Sequence, residues 1–323
     1  MMYRVYISGK IPKIATDLLT KRDFKVEINN SGKNLTVKQL KEIFSEYEAV
    51  ITLMTDRIDE DVLNAASAKL KVIANFASGY DNIDVLAAKR RGIVVTNTPG
   101  VAGESIAEHT FALILSCAKK IIATDRYVRG GKYHEWNPLG FLSPTITGKT
   151  IGIIGLGSAG TFVAHVAYEG FKMDILYYDI ARSEDLEILT KAKYTTLDFL
   201  TKHSDIITLH IPLTPKTHHL IGKEELKQMK NTAILINTSR GAVIDEEALI
   251  WALKDKRIAA AGLDVFEHEP SVPDELTTLD NIVLTPHIAS ATVECREAMA
   301  KMVAQNIIDV FEGRTPFGLV KIS

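Results

Sequence analysis

TIGIIGLGSAG at residues 150–160, then a helical stretch, then MDILYYD at residues 173–179, decides how this chain folds. The run from Ile151 to Ile154 is short, β-branched and bounded by glycine, which reads as a buried parallel strand. Gly155, Gly157 and Gly160 follow at G-x-G-x-x-G spacing. The first glycine permits a tight turn, the second lets backbone approach a pyrophosphate, and the third packs helix against strand. Ser158 and Ala159 complete the turn, and a helix starting near Ala159 would aim its N–H groups and positive dipole end at that pyrophosphate. A second strand, Met173 to Tyr178, ends at Asp179, where a carboxylate can accept hydrogen bonds from ribose hydroxyls. The spacing alone is a weak signal. The strand before it, the helix after it and the terminal acid make the segment a dinucleotide site.

With 323 residues the chain is long enough for two domains, each with its own core. A net charge of −2 gives no reason to expect nucleic acid or an anionic membrane as partner. Two cysteines, Cys117 and Cys295, allow neither a disulfide framework nor a cysteine metal cluster, and no metal is expected. The opening MMYRVYIS enters an alternating strand pattern with no signal-peptide core, so a cytoplasmic location is expected.

Strand and helix patterns alternate through the first hundred residues, with strands read at Tyr3–Ile7, Phe24–Ile28, Ala49–Leu53, Lys71–Ala74 and Ile93–Thr96. Such alternation implies a parallel sheet with right-handed crossovers. Pro99-Gly100 breaks the pattern and marks a hinge. From Glu104 a long amphipathic helix is expected, because Ala107, Phe111, Ile114, Ala118, Ile121 and Ile122 recur at three- and four-residue spacing. It packs either between the two domains or on another subunit. Trp136 follows in a polar loop. After the glycine motif the rhythm resumes, with strands ending in TSRG, LDV and LTPH, and a helix from Thr292 to Phe311 closes the pattern.

Ligands of open α/β sheets bind beyond the C-terminal strand ends. Arg240, Glu269 and His287 all follow such ends. Hydride delivered to a carbonyl carbon builds negative charge on oxygen and calls for a proton donor, which histidine can be. A neighbouring carboxylate stabilises the imidazolium, and a guanidinium grips a substrate carboxylate in a bidentate way. Each residue also has an ordinary reading: Arg240 paired with Asp245 or Glu246, Glu269 merely solvated, His287 structural. His109, within the long helix, and His218 and His219, in a polar connection, have weaker claims.

INTSRG, DVFEHEP and TPHIASAT, behind GLGSAG, resemble the signatures of the D-isomer-specific 2-hydroxyacid dehydrogenases. NFASGYDNID and VVTNTPGV also resemble this family, particularly its glyoxylate and hydroxypyruvate reductases. The resemblance implies an NAD-dependent homodimer with two Rossmann-like parallel-sheet domains, the nucleotide-binding domain (100–287) inserted into a substrate domain (1–99 and 288–323). It implies Arg240 as substrate clamp, Glu269 as partner of the histidine and His287 as acid/base. Thr238, Ser239, Asp264 and His287 join the glycine turn and Asp179 as cofactor contacts. Leu53, Ser78 and Gly79, with Arg240 and Trp136, are expected to bind a small 2-oxo acid. Ser158-Ala159 stands where the family often has a basic residue and then Ile or Val. Gly103-Glu104-Ser105 also departs from the pattern of many glyoxylate reductases. D-Lactate formation is the nearest enzymatic alternative. A NAD-sensing transcriptional corepressor is the alternative from another class.

Overall fold

The computed structural model describes residues 2–321, which form two compact units: residues 2–102 with 291–321, and residues 103–290. The expected joins at 99/100 and 287/288 lie three residues earlier in each case.

The first unit carries strands β1 (Arg4–Ile7), β2 (Lys25–Ile28), β3 (Ala49–Thr52), β4 (Val72–Asn75) and β5 (Val94–Thr96). All pair in parallel, in the order β2-β1-β3-β4-β5. β3 and β4 are buried at every residue, as helices on both faces of a parallel sheet require. The C-terminal helix Val293–Phe311 belongs to this unit because Phe311 packs its ring against Tyr3 and Phe24. Asn306 then ties the tail down: its Nδ2 donates to the Asn97 carbonyl and its Oδ1 accepts from Gly318 N–H.

The second unit is a seven-stranded parallel sheet ordered β12-β11-β10-β9-β6-β7-β8. Its strands are β6 (Thr150–Ile154), β7 (Asp174–Tyr178), β8 (Lys193–Tyr194), β9 (Ile206–Leu209), β10 (Ile234–Asn237), β11 (Ala260–Leu263) and β12 (Ile282–Leu284). The chain leaves β6 in one direction, then returns to β9 on its other side. The crevice outside that switch point is where an open sheet takes its ligand. Alternate residues feed two cores: Ile151, Ile153, Ile175 and Tyr177 face one side, Ile154, Leu176, Ile207 and Leu209 the other. This period of two explains why the β6 run is apolar throughout.

The expected long helix from Glu104 is two helices, Gly103–Ala118 and Ile121–Arg129. Lys120 between them adopts a left-handed φ of 56°. The Lys119 and Lys120 ammonium groups donate to the carbonyls of Pro144 and Leu142, anchoring the break. Ile121 and Ile122 continue the apolar spacing but lie on the second helix, 49% and 41% exposed, so the periodicity there does not mark a core face. The sequence reading also assigned nothing to Val85–Arg90, nor between Asp179 and β9. Helices Glu184–Thr190 and Leu197–His203 and the short edge strand β8 occupy the latter stretch.

Two of the three glycines are demanded by the fold itself. Gly155 has φ 96°, and a Cβ there would lie 2.6 Å from the His210 carbonyl oxygen. At Gly160 a Cβ would lie 2.0 Å from the Gly155 carbonyl oxygen, so the helix Ser158–Phe171 could not sit this close to β6. Gly160→Ala should therefore lose about 3 kcal/mol of stability, measured by urea unfolding. A loss below about 1 kcal/mol would mean that the helix moves away cheaply.

Candidate active site

Gly157 differs from its two companions. Its backbone is extended, and a Cβ built there meets nothing within 4 Å. It is the N-cap of the helix Ser158–Phe171 and has no side chain with which to cap it. An N-terminus carrying about half a positive charge thus faces open space that a side chain would have filled, which fits a pyrophosphate. The departures Gly103 and Ser158 are neighbours. A Cβ on Gly103 would lie 2.1 Å from Ser158 Oγ, so the absent side chain at one makes room for the hydroxyl at the other.

Asp179 follows β7, with Oδ2 accepting from Leu156 N–H (2.6 Å) and Oδ1 from Ala181 N–H (3.2 Å). The carboxylate is thereby fixed beside the glycine turn. Arg182, three residues on, donates from Nε and Nη2 to the two oxygens of Glu187 (2.8 and 2.6 Å). That guanidinium and the Tyr177 hydroxyl hold the Glu187 carboxyl at about 2, well below the usual range.

Arg240, Glu269 and His287 follow β10, β11 and β12, three adjacent parallel strands, so all three leave one edge of the sheet. His287 Nδ1 lies 2.7 Å from Glu269 Oε2. An ionised carboxylate can only accept, so in this pair Nδ1 is the donor and Nε2 takes no part in the contact. Glu269 is itself oriented, its Oε1 accepting from Phe266 N–H at 3.0 Å. Asn237 Nδ2 donates to the Arg240 carbonyl, and Asn237 Oδ1 accepts from Ser239 N–H and Oγ. Thr238 is buried, its hydroxyl 3.2 Å from that of Thr110. Gly241 completes the arrangement. A Cβ there would lie 1.9 Å from the Phe266 carbonyl carbon, so the arginine loop and the glutamate loop touch through backbone.

His287 has a left-handed φ of 54°, a conformation that costs a non-glycine residue about 1–2 kcal/mol. Asp264 holds it there. The Asp264 carbonyl accepts from His287 N–H (2.8 Å). Its carboxylate accepts from Ile288 N–H, Ala289 N–H and the Thr285 hydroxyl at 2.9, 2.7 and 2.6 Å. His109 Nε2 adds a contact of 3.4 Å to Oδ1 and one of 3.0 Å to Thr285 Oγ1. Burial alone would raise the Asp264 carboxyl, but His109, Thr285 and the two amides outweigh it and hold it below its ordinary value. The sequence reading set His109 aside because nothing in a helical stretch marks which histidine will meet a buried acid. His210, after β9, went unremarked. It is half-buried, Nε2 lies 2.9 Å from Thr208 Oγ1, and desolvation pushes it down to about 3.

In the first unit, the expected substrate residues lie around the loop after β4. Asn75 Nδ2 donates to the Gly79 carbonyl, Asn97 Nδ2 to the Ser78 carbonyl and Asn82 Nδ2 to the Leu53 carbonyl. Side-chain amides thus hold this loop and the segment after β3 by their carbonyls. Among the described residues no acceptor takes the N–H of Ser78 or Gly79. Trp136 is 77% exposed, in a stretch where residues 131–140 are all exposed. No helix among the described residues is long and apolar enough to cross a membrane.

A nucleotide-binding switch point beside a histidine–carboxylate pair defines a nicotinamide-dependent oxidoreductase. The family model of the D-isomer specific 2-hydroxyacid dehydrogenase NAD binding domain matches residues 111–289. Glyoxylate reductase of Thermococcus litoralis is 47% identical over 324 residues, covering 99% of this chain and 97% of that one. Among solved structures, the TT0316 protein of Thermus thermophilus superimposes with TM-score 0.92 at 38% identity, covering 98% of this chain and all of the other. The NADPH-dependent glyoxylate/hydroxypyruvate reductase of Sinorhizobium meliloti, in complex with NADP and malonate, gives TM-score 0.88 at 30% identity, covering 99% and 97%. The chain belongs to the D-isomer specific 2-hydroxyacid dehydrogenase family.

Asp264→Asn would set an amide NH2 against the Ile288 or Ala289 N–H and should cost about 1–3 kcal/mol at neutral pH. Because the folded carboxyl titrates below the unfolded value of 3.8, its contribution is full above that value and lost as pH falls through the folded one. Urea unfolding of both chains from neutrality to about pH 2 should show the gap between them closing only in acid. A gap independent of pH would refute the role of the charge.

Proposed function

We propose that this enzyme is an NADH-dependent reductase of small 2-oxo acids, glyoxylate or hydroxypyruvate, giving D-2-hydroxy acids. The observation that carries the reading is the 2.7 Å Glu269–His287 contact, which leaves Nε2 to protonate the oxygen of a reduced carbonyl. A bound nicotinamide supplies the hydride. Gly155, Gly157, Ser158, Ala159 and Gly160 receive the pyrophosphate, Asp179 the ribose, and Thr238, Ser239, Asp264 and His287 complete the cofactor contacts. Arg240 grips the substrate and polarises its carbonyl. In the first unit, the Ser78-Gly79 backbone takes the carboxylate and Leu53 supplies an apolar contact.

The preference for NADH rests on charge. The Asp179 carboxylate repels a 2′-phosphate, and Arg182, the nearest candidate to bind one, is engaged by Glu187. A panel of glyoxylate, hydroxypyruvate and pyruvate with NADH and NADPH should give the highest kcat/KM for one of the first two with NADH. His287→Ala should cut turnover roughly a hundredfold or more while leaving NADH binding largely intact, since the other cofactor contacts remain. Equal kcat/KM for the two cofactors would overturn the charge argument, and near-normal turnover in His287→Ala would overturn the proton-donor assignment.

A cytoplasmic homodimer completes the reading. The helix Ile121–Arg129 has no buried residue, and Val128, Trp136, Leu139 and Leu142 near it are exposed. A cavity of about 800 Å³ opens between this helical region and Ile282–Thr285. Apolar surface of this kind supports an interface, with Trp136 contributing to the partner's substrate site in this reading. Light scattering should return a dimer mass, with Trp136→Ala still dimeric but less able to discriminate among oxo acids. A fully active monomer would refute it.

A further inference from the structure

Away from the proton-transfer pair, His218, His219 and Glu267 bring three metal-ligating atoms within 4.8 Å of one another. His219 Nε2 is 2.9 Å from Glu267 Oε1, and the two imidazoles stack with ring centres 4.0 Å apart. The three residues come from two segments that are separately fixed. His219 has a left-handed φ of 51°, and its N–H is held by the Ala242 carbonyl at 2.8 Å. Glu267 N–H donates to Glu246 Oε1 at 2.8 Å. A non-glycine residue held in this backbone region stores strain of the kind found at ligand clamps.

From this geometry we propose a binding site for a zinc-like divalent transition metal at His218, His219 and Glu267, distinct from the cofactor and proton-transfer residues. Two imidazole nitrogens and one carboxylate oxygen form a borderline donor set that suits zinc better than calcium or magnesium. Bonds of about 2.0–2.1 Å around a tetrahedral ion put ligand atoms about 3.3 Å apart. The His219–Glu267 pair is already closer than that, and exposed His218 has room to close the rest. Three protein ligands leave a fourth position for water. The ion would tether the turn before Ile221 to the segment that carries Glu269, and would bind the folded chain in preference to the unfolded one.

The test is calorimetric titration of the untagged chain with zinc chloride, with thermal melts in parallel. One ion per chain with micromolar affinity, and a melting temperature raised by zinc, are expected. His218→Ala and Glu267→Gln should each weaken binding at least about tenfold and abolish the thermal shift, while His287→Ala keeps both. No uptake by the native chain, unchanged binding in the His218→Ala/Glu267→Gln double variant, or loss in His287→Ala would each overturn the site. Both surface variants can be checked for folding by their circular dichroism, so a loss of binding is read on a folded chain.

Discussion

One buried carboxylate fixes the position of the histidine. Asp264 is wholly inaccessible, yet it is held in the charged form because a hydroxyl, two amides and a histidine converge on it. A charge in such surroundings is tolerable only when fully hydrogen-bonded. Since the donors come from Thr285, Ile288 and Ala289, satisfying the charge forces the chain after β12 into one path. His287 sits inside that path with a backbone conformation it would not choose alone. The strain of His287 is thus offset by the solvation of an acid that faces no solvent.

The parallel sheet explains why the remaining groups are close by. Strands β10, β11 and β12 are neighbours, and in a parallel sheet every strand delivers its following loop to the same edge. Residues separated by 47 positions in sequence, from Arg240 to His287, therefore share one rim. The glycine turn lies at that rim too, at the switch point between β6 and β9. Chemistry is then set by loop detail, such as the Glu269 carboxylate anchored on Phe266 N–H.

The sequence conveyed the parallel architecture and the glycine turn because both are local: strand periodicity, turn chemistry and the Gly155–Gly160 spacing act over a few residues. It also conveyed Arg240, Glu269 and His287 as strand-end residues. Their mutual arrangement was not legible, since it depends on strand order. The break at Lys120 escaped because apolar spacing runs through it, and only distant carbonyls at Leu142 and Pro144 show where the lysines are held. His109 and His210 escaped for a related reason: what sets each apart is its surroundings in the fold, a buried acid far along the chain for His109 and desolvation for His210, and spacing carries no trace of that. The helices between Asp179 and β9 were missed where polar residues dilute the apolar pattern.

Gly241 lies against Phe266 with no side chain between the two backbones. A contact made of main chain alone has no adjustable part, so the separation of the arginine and glutamate loops works as a fixed ruler. A library of variants aimed at new substrates would gain nothing from randomising Gly241, because any side chain there would collide with the Phe266 backbone. Useful diversity belongs in loops whose neighbours are side chains and solvent, where one change can be absorbed without displacing the Glu269–His287 pair.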